Sequence, residues 1–230
     1  MQSTYLASYQ QSKFVNESDS FKYKRIGTLP VLPITAQDMQ NQIRVDVLLE
    51  QASYLNLIIA SAIRYAEEYM NLSLINTQWQ TTRDNFDANA FELRKGYFVS
   101  LEKFQYIDVT TGLYVTVDPT IYQIADKSYY AQILLLQGYQ FPFNNIKQED
   151  NAINIEFTAG MSANPSDFLA QYPDLKMALL QHCTFIYENR GNDTASMMKD
   201  TTSVLPQMIL DVYDRYKAPS IFSGTIFNGW

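Results

Sequence analysis

The sequence is poor in the side chains that metal sites and covalent catalysts most often require. Its 230 residues include one cysteine, Cys183, and one histidine, His182. A lone thiol excludes an internal disulfide and a thiolate-rich zinc site, and a lone imidazole excludes a site with several histidine ligands. Because adjacent positions on a helix point about 100° apart, these two residues do not face each other as a nucleophile and its base. We expect both to be packed structural residues.

Phosphate-binding loops are absent as well. Neither GxxxxGK[ST] nor GxGxxG occurs, so no motif indicates a nucleotide cofactor. The sequence predicts no catalytic residue, no metal ligand set and no cofactor, and hence a protein that is not an enzyme. A carboxylate-dependent enzyme acting on a glycan stays open as an alternative, because it needs only two acids at the mouth of a cleft. The close acidic pairs are all expected on solvated faces or in turns: Glu67 and Glu68, Glu149 and Asp150, and Asp211 and Asp214.

An excess of basic residues is also missing. Lys and Arg number 17 against 24 Asp and Glu, a formal net charge of −7. No global positive field therefore draws the chain to phosphate backbones, which disfavours a nucleic-acid reader. The longest apolar stretch, residues 54–63, is interrupted by Asn56 and Ser61, and the first ten residues lack the features of a signal peptide. We expect a cytosolic, soluble protein without a membrane segment.

Hydrophobic residues nevertheless make up 47% of the chain, enough for a folded core. Residues 1–28 show no sustained period and are predicted to form a flexible N-terminal arm. Thr35 and Asp38 form an N-cap pattern that predicts a short helix over about 35–45. Apolar residues at helical spacing predict a long helix over 49–70 and two further helices over 173–189 and 205–217.

Between residues 77 and 158 the pattern changes to alternation. It places Leu113, Val115 and Val117 on one face of a strand, and Ile153, Ile155 and Phe157 on one face of another. Further strands are expected over 78–86, 98–109, 121–125 and 130–136. We predict an α+β fold: a helical core of two N-terminal and two C-terminal helices, an inserted antiparallel β-meander, and a flexible arm and tail.

Two aromatic segments fit none of these elements. Residues 137–145 contain a proline and are predicted to form a loop. The loop either tucks onto its own sheet or contacts a neighbouring subunit through Tyr139, Phe141 and Phe143. The tail, residues 218–230, is apolar without either period, so we expect it to fold back or to dock into a partner; its large side chains are Ile221, Phe222, Ile226, Phe227 and Trp230.

The order of these elements resembles the head-to-tail connector, or adaptor, family of tailed bacteriophages, whose members form small rings in the neck below the portal. Local strings across residues 29–217 carry the resemblance. They are Pro33-Ile34-Thr35, Ile43-Arg44-Val45, Ile58 and Ala62 leading into Glu67-Glu68-Tyr69, Phe157-Thr158-Ala159-Gly160, Tyr187-Glu188-Asn189-Arg190, and Leu205-Pro206. Residues 1–28, 127–147 and 218–230 are additions relative to compact members.

The resemblance implies a structural virion protein that forms a ring, usually of twelve subunits, on the portal after DNA packaging. Such a ring joins the portal to other neck or tail proteins, helps to retain the DNA, and passes it without specific binding. The implied location is the virion neck, after assembly in the host cytoplasm. In related connectors the C-terminal segment reaches the portal, which makes Ile221, Phe222, Ile226, Phe227 and Trp230 candidates for portal binding. A net negative charge on the ring lumen is a further hypothesis.

Two alternatives stay open besides the glycan-acting enzyme. One is another neck component, such as a stopper or tail-completion protein, which is commonly built around a small β-barrel and does not need the terminal helices. The other is a monomeric binding module that holds a ligand on its aromatic strands. In that case the tail should pack against its own domain.

Overall fold

The computed structural model describes residues 23–27, 30–43, 49–86, 90–189 and 205–218. The predictions for residues 1–22 and for the aromatic residues of the tail lie outside these ranges. The domain limits, 29 and 217, also stay predictions. Within the described ranges the chain contains both helices and antiparallel sheets, which confirms the α+β class. No described helix combines the length and the apolarity needed to cross a membrane.

The helices form one layer. They are α1 (Ala36–Ile43), α2 (Leu49–Met70), α3 (Pro165–Gln171), α4 (Pro173–Glu188) and α5 (Gln207–Tyr216). The stripe predicted for α2 is buried in their common core, where it includes Leu55, Ile58, Ile59, Ala62, Ala66 and Met70. Each large apolar side chain buried in this way stabilises the fold by about 1.5–3 kcal/mol.

Side-chain caps define where two helices begin. Before α1, Thr35 N–H donates to Asp38 Oδ2 at 2.9 Å and Asp38 N–H donates to Thr35 Oγ1 at 3.1 Å, the reciprocal arrangement of a capping box. Before α3, Asn164 Oδ1 accepts from the N–H of Asp167 at 3.0 Å. The helix predicted over 173–189 does begin at Pro173, and the structure adds the short α3 directly before it.

The strands form two antiparallel sheets. They are β1 (Tyr23–Ile26), β2 (Thr77–Arg83), β3 (Ala90–Leu93), β4 (Phe98–Ile107), β5 (Tyr114–Thr116), β6 (Tyr122–Asp126), β7 (Ala131–Leu135) and β8 (Ile153–Ala159). A five-stranded sheet has the order β1-β2-β8-β4-β5, and a three-stranded sheet has the order β3-β7-β6.

The predicted meander is wrong, because β8, the last strand in the chain, lies between β2 and β4. Ile153, Ile155 and Phe157 are completely buried, as their alternation predicts. A strand with such an apolar face gains most from the centre of a sheet, where both neighbours shield it. Alternation within a strand shows which face is buried but not which strand pairs with it, and for that reason the order was missed.

Two other differences concern the edges of the five-stranded sheet. Tyr23–Ile26, within the predicted arm, forms the edge strand β1. Its four residues are too few to show a period, but Tyr23 anchors it by donating from its hydroxyl to Glu92 O at 2.7 Å. At the opposite edge, Leu113 and Val115 are exposed although the pattern placed them inward; only Val117 is buried. The short β5 extends beyond the part of the sheet that is covered.

A second core fills the space between the two sheets. Phe86, on the segment after β2, lies at its centre and contacts Phe91, Phe104, Tyr106 and Phe141 with ring centroids 5.1–6.1 Å apart. Most of these contacts are edge-to-face, the arrangement that the quadrupoles of aromatic rings favour. Much of the aromatic content of the chain is therefore used inside the subunit.

Candidate subunit interfaces

A groove separates α2 from the β1–β2 edge of the sheet. It has a volume of about 560 Å³, and the segment with Pro30 and Pro33 forms one wall. Its apolar lining comes from Ile63, Leu72, Leu74 and Ile75, and its charged lining from Arg25, Arg64, Glu67, Glu68 and Lys95.

The carboxylate of Glu67 is the most buried charge in this groove. It is 9% exposed. Its Oε2 lies 2.6 Å from Arg25 Nη2, and its Oε1 accepts from the backbone N–H of Leu74 at 2.9 Å. The expectation that Glu67 lies on a solvated face is therefore wrong: it sits beside the apolar stripe of α2, where β1 covers it. Glu68 is exposed as expected and pairs with Arg64 one turn earlier on α2.

Trp79 lies between two cations at the mouth of the groove. The guanidinium carbon of Arg25 is 5.1 Å from the ring centroid, and Lys95 Nζ is 5.4 Å from it. Lys95 also donates to Asn71 Oδ1 at 3.0 Å, and burial lowers its pKa. Desolvated cations over indole rings are stabilising. Because these groups satisfy one another, we interpret the site as a structural clamp between β1 and α2.

The other acidic pairs do not assemble a catalytic site. Glu149 pairs with Lys147, while Asp211 accepts from Gln207 Nε2 at 2.8 Å and Asp214 accepts from the hydroxyl of Tyr69 at 2.7 Å. Glu149, Asp211 and Asp214 thus bind other side chains at exposed positions and not one another. Over the described ranges, no three His, Cys, Asp or Glu side chains come together as a metal site would require.

His182 and Cys183 are both packed within the helical layer, as their position on α4 predicts. His182 is 3% exposed, its Nδ1 is 3.1 Å from the hydroxyl oxygen of Tyr213, and the edge of its ring meets Tyr65. Burial lowers the pKa of His182 to about 4 and raises the pKa of the Cys183 thiol to about 12. Neither group is a reactive nucleophile or base near neutral pH.

The loop over 137–145 divides into a buried and an exposed part. Phe141 is 2% exposed and stacks on Phe86 at 5.1 Å, so it belongs to the aromatic core. This corrects the expectation that Phe141 is available to a neighbouring subunit. Tyr139 and Phe143 are exposed, so their side chains are accessible to a neighbouring subunit. The contact itself stays a prediction.

Among the described residues, a concentration of exposed apolar side chains lies on the β4–β5 hairpin, and the sequence does not predict it. Leu113 is 69% exposed, and Val109, Tyr114 and Val115 are exposed with it. Asp108 begins the hairpin turn and accepts from the N–H groups of Thr110 and Thr111, at 3.0 and 2.8 Å. The sequence does contain a sign of this patch, because residues 109–117 include no charged side chain. Only the strand order shows that these residues lie at an edge of the sheet.

The open face of the five-stranded sheet is polar and carries balanced charge. Gln80 Nε2 donates to Asn154 Oδ1 at 2.7 Å, and Asn154 Nδ2 donates to Glu156 Oε1 at 3.1 Å. Lys103 Nζ lies 2.9 Å from Glu156 Oε2. Because these side chains form hydrogen bonds and an ion pair with one another, this face does not present a cluster of unpaired cations to a polyanion.

The predicted portal-binding residues, Ile221, Phe222, Ile226, Phe227 and Trp230, lie outside the described residues. The last described residue, Ala218, donates its N–H to Met70 O at 2.9 Å. The last described residue therefore lies at the C-terminal end of α2.

Known proteins are similar to this chain in structure. No family model and no curated protein matches its sequence. Three solved structures with similar chains are the neck of an empty gene transfer agent (GTA) particle computed with C6 symmetry, the virion of a native GTA particle, and the neck of a native GTA particle computed with C12 symmetry. Their TM-scores are 0.67, 0.65 and 0.62.

These similarities extend over nearly the whole of both chains. Each covers 88% of this chain and 98% of the other, at 16% sequence identity. At this identity the likeness shows a shared fold, including both the helical layer and the sheets.

Proposed function

We propose that this chain is a structural protein of the neck of a phage-like particle, where it forms a ring that joins the portal to the tail. The observation that carries the proposal is the fold shared with chains of GTA necks, at a TM-score of 0.67 over 88% of this chain. It agrees with the resemblance to adaptor proteins, which rests on independent features, namely short sequence strings in a fixed order.

The proposed ring has twelve subunits. Similar chains occur in necks computed with C6 and with C12 symmetry, and twelve copies are compatible with both. A cyclic ring needs a heterologous interface, in which one surface of each subunit binds a different surface of the next. Exposed apolar groups on the β4–β5 hairpin and at Tyr139 and Phe143 are available for such contacts.

In this proposal the ring retains and passes the packaged DNA without binding it specifically. The net charge of −7 and the balanced polar face of the large sheet support a non-adhesive passage. Like charges on a lumen wall repel phosphates over roughly a Debye length, about 8 Å at physiological salt. A ring lined by unpaired lysine and arginine would contradict this part of the proposal.

The proposed partners are the portal and other neck or tail proteins, in a particle assembled in the host cytoplasm. The aromatic tail, residues 218–230, would provide the portal contact. The extensive helical layer favours an adaptor over a stopper or tail-completion protein. Glycan hydrolysis has little support, because Glu67, the one carboxylate buried in the groove, is already bound by Arg25 and Leu74.

The oligomeric mass tests the proposal directly. The full chain would be measured by light scattering and native mass spectrometry, alone and after mixing with DNA-filled, tailless heads. Rings, or the recruitment of about a dozen copies to one vertex of each head, are the expected result. A chain that stays monomeric and does not bind to these heads would contradict the proposal.

A further inference from the structure

We propose that neighbouring subunits of the ring join through the two edges of the five-stranded sheet, with β5 of one copy paired to β1 of the next. The inference rests on the proposed ring and names the contact that builds it. Among the described residues, β1 and β5 each pair with one strand only. The second copy of this chain would add a strand at such an edge, so that one continuous sheet passes from subunit to subunit.

The edge at β5 has backbone groups available for pairing. Asp108 N–H donates to Leu113 O, and Val117 N–H donates to Phe104 O, so odd-numbered positions of β5 face β4. Because backbone groups alternate in direction along a strand, the N–H and C=O groups of Tyr114 and Thr116 point to the outer side.

This edge lacks the features that usually prevent strand addition. Natural edge strands carry charged residues, prolines or bulges. Residues 109–117 contain neither a charge nor a proline, and β5 pairs with β4 in regular register. The exposed side chains of Leu113, Tyr114 and Val115 would gain cover from an added strand. We therefore expect this uncharged edge to be covered by a permanent partner and not by solvent.

The opposite edge fits β5 in charge. Lys24 is the exposed cation of β1, since Arg25 is already paired with Glu67, whereas Asp108 and Asp118 flank β5. Hydrogen bonds from the Thr111 and Thr120 backbones hold the pKa of these two carboxyls below the ordinary value, so both are ionised at neutral pH. The Lys24 ammonium and the carboxylates on either side of β5 attract each other, whereas two copies of the same edge do not.

The direction of the strands is compatible with a cyclic arrangement. Four antiparallel steps separate β1 from β5, so the two strands run in the same direction. A neighbour related by a small rotation keeps this direction, and its β1 would therefore lie parallel to β5. Each copy uses one edge as donor and the other as acceptor, which is the heterologous contact that closes a ring.

Paired cysteines test the contact. Lys24 and Thr116 lie on the same face of the sheet. Under mild oxidation, Lys24→Cys of one subunit should therefore form a disulfide with Thr116→Cys of the next. If the two strands pair two residues out of this register, the disulfide should form with Tyr114→Cys instead. Paired strands hold Cα atoms within the 4.4–6.8 Å that a disulfide spans. The native Cys183 is buried and does not interfere. The matched control joins Thr116→Cys to Gln123→Cys on β6.

The experiment uses rings of the full chain or, if rings form only on heads, particles assembled with the variants. A ladder of covalent multimers from either test pair, absent from the control pair, is the expected result. Dimers from Thr116→Cys alone would indicate a twofold β5–β5 contact and overturn the inference. Rings or head recruitment without cross-links from either test pair would also overturn it, while leaving the proposed function intact.

Charge removal gives an independent measurement. Asp108→Asn and Asp118→Asn keep an oxygen for the turn hydrogen bonds but remove the two charges. Together they should raise the concentration needed for ring formation several-fold and reduce its dependence on salt. Asp126→Asn, in a similar turn after β6 where Ser128 N–H donates to the carboxylate, should leave ring formation unchanged. If Asp126→Asn weakens ring formation as much as Asp108→Asn or Asp118→Asn does alone, the charge match is contradicted.

Discussion

Arg25 on β1 and Glu67 on α2 form an ion pair, with 2.6 Å between Nη2 and Oε2, that ties an edge of the large sheet to the longest helix. The Glu67 side chain is buried, whereas the Arg25 side chain is 29% exposed. The same carboxylate also accepts from the backbone N–H of Leu74, in the segment that leads into β2. It therefore fixes the position of this segment as well as that of β1.

Replacing Glu67 by Gln should lower the free energy of unfolding by about 1–3 kcal/mol. The amide oxygen can still accept from Leu74, but Arg25 loses its counter-charge in a partly desolvated place. Urea unfolding followed by circular dichroism measures the change. Glu68→Gln is the control: it removes the exposed pair with Arg64, so its effect should stay below about 0.5 kcal/mol. Equal losses in both variants would show that burial of Glu67 has no energetic consequence.

Acid should destabilise the protein through His182. Its pKa is about 4 in the folded chain, below the value of ~6.5 of an unfolded chain. Between these values the unfolded chain binds a proton that the folded chain does not, so stability falls as the pH is lowered. The expected loss is about 1.5 kcal/mol from pH 6.5 to pH 5.

His182→Phe isolates this effect, because the chain has no other histidine. The variant loses the hydrogen bond to Tyr213 and should be less stable near neutral pH, but its stability should hardly change between pH 6.5 and 5. The measurement is urea unfolding at several pH values. An unchanged slope in the variant would assign the acid sensitivity to carboxylates instead.

The helices could be predicted from sequence because their signals are local. The stripe of α2 and the Thr35–Asp38 cap lie within a few turns, and the structure contains both. The class of the fold follows in the same way from the change of period near Thr77. Local signals of this kind depend only on residues that are close in the chain.

The strand order and the candidate interface could not be predicted, because both depend on residues far apart in the chain. β8 pairs with β2 and β4 across at least 47 residues, and β1 pairs with β2 across at least 52. Leu113 and Val115 alternate correctly with polar residues, yet they are exposed because their strand lies at an edge. The burial of Glu67 likewise depends on Arg25, on another element.

Phe141 and Tyr139, two residues apart in one loop, should respond differently to substitution. Phe141→Ala removes a ring from the aromatic core and should cost about 3–5 kcal/mol. Tyr139 is 51% exposed, so Tyr139→Ser should change stability by less than about 0.5 kcal/mol. If the loop contacts a neighbouring subunit, Tyr139→Ser instead weakens ring formation. Thermal unfolding and oligomeric mass, measured on both variants, separate the two effects.

Gly160, which ends the Phe157-Thr158-Ala159-Gly160 string, should tolerate no side chain. A Cβ at this position would lie 2.6 Å from both Cα and N of Asn76, a clash with backbone that cannot rotate away. Gly160→Ala should therefore cost about 2–3 kcal/mol. Gly138→Ala is the control: it has a positive φ but open space around it, so only about 1 kcal/mol of backbone strain is expected. Similar stability of both variants would contradict the packing argument.

Deleting residues 220–230 tests the proposed role of the aromatic tail. The described fold ends at Ala218, whose N–H donates to Met70 O, and no described core contact requires a residue after it. The truncated chain should therefore keep its unfolding free energy within about 1 kcal/mol and still form rings, but it should fail to bind DNA-filled, tailless heads.

A subtler variant separates loss of aromatic contacts from loss of length. Replacing Phe222, Phe227 and Trp230 by Ser keeps the tail but removes the side chains whose burial would offset the cost of ordering it, about 1–2 kcal/mol per residue. This variant should also fail to bind heads, with normal rings. Unfolding of the truncated chain would instead mean that the tail packs on its own domain, as a monomeric binding module requires. Head binding by both variants would remove the tail from the portal contact.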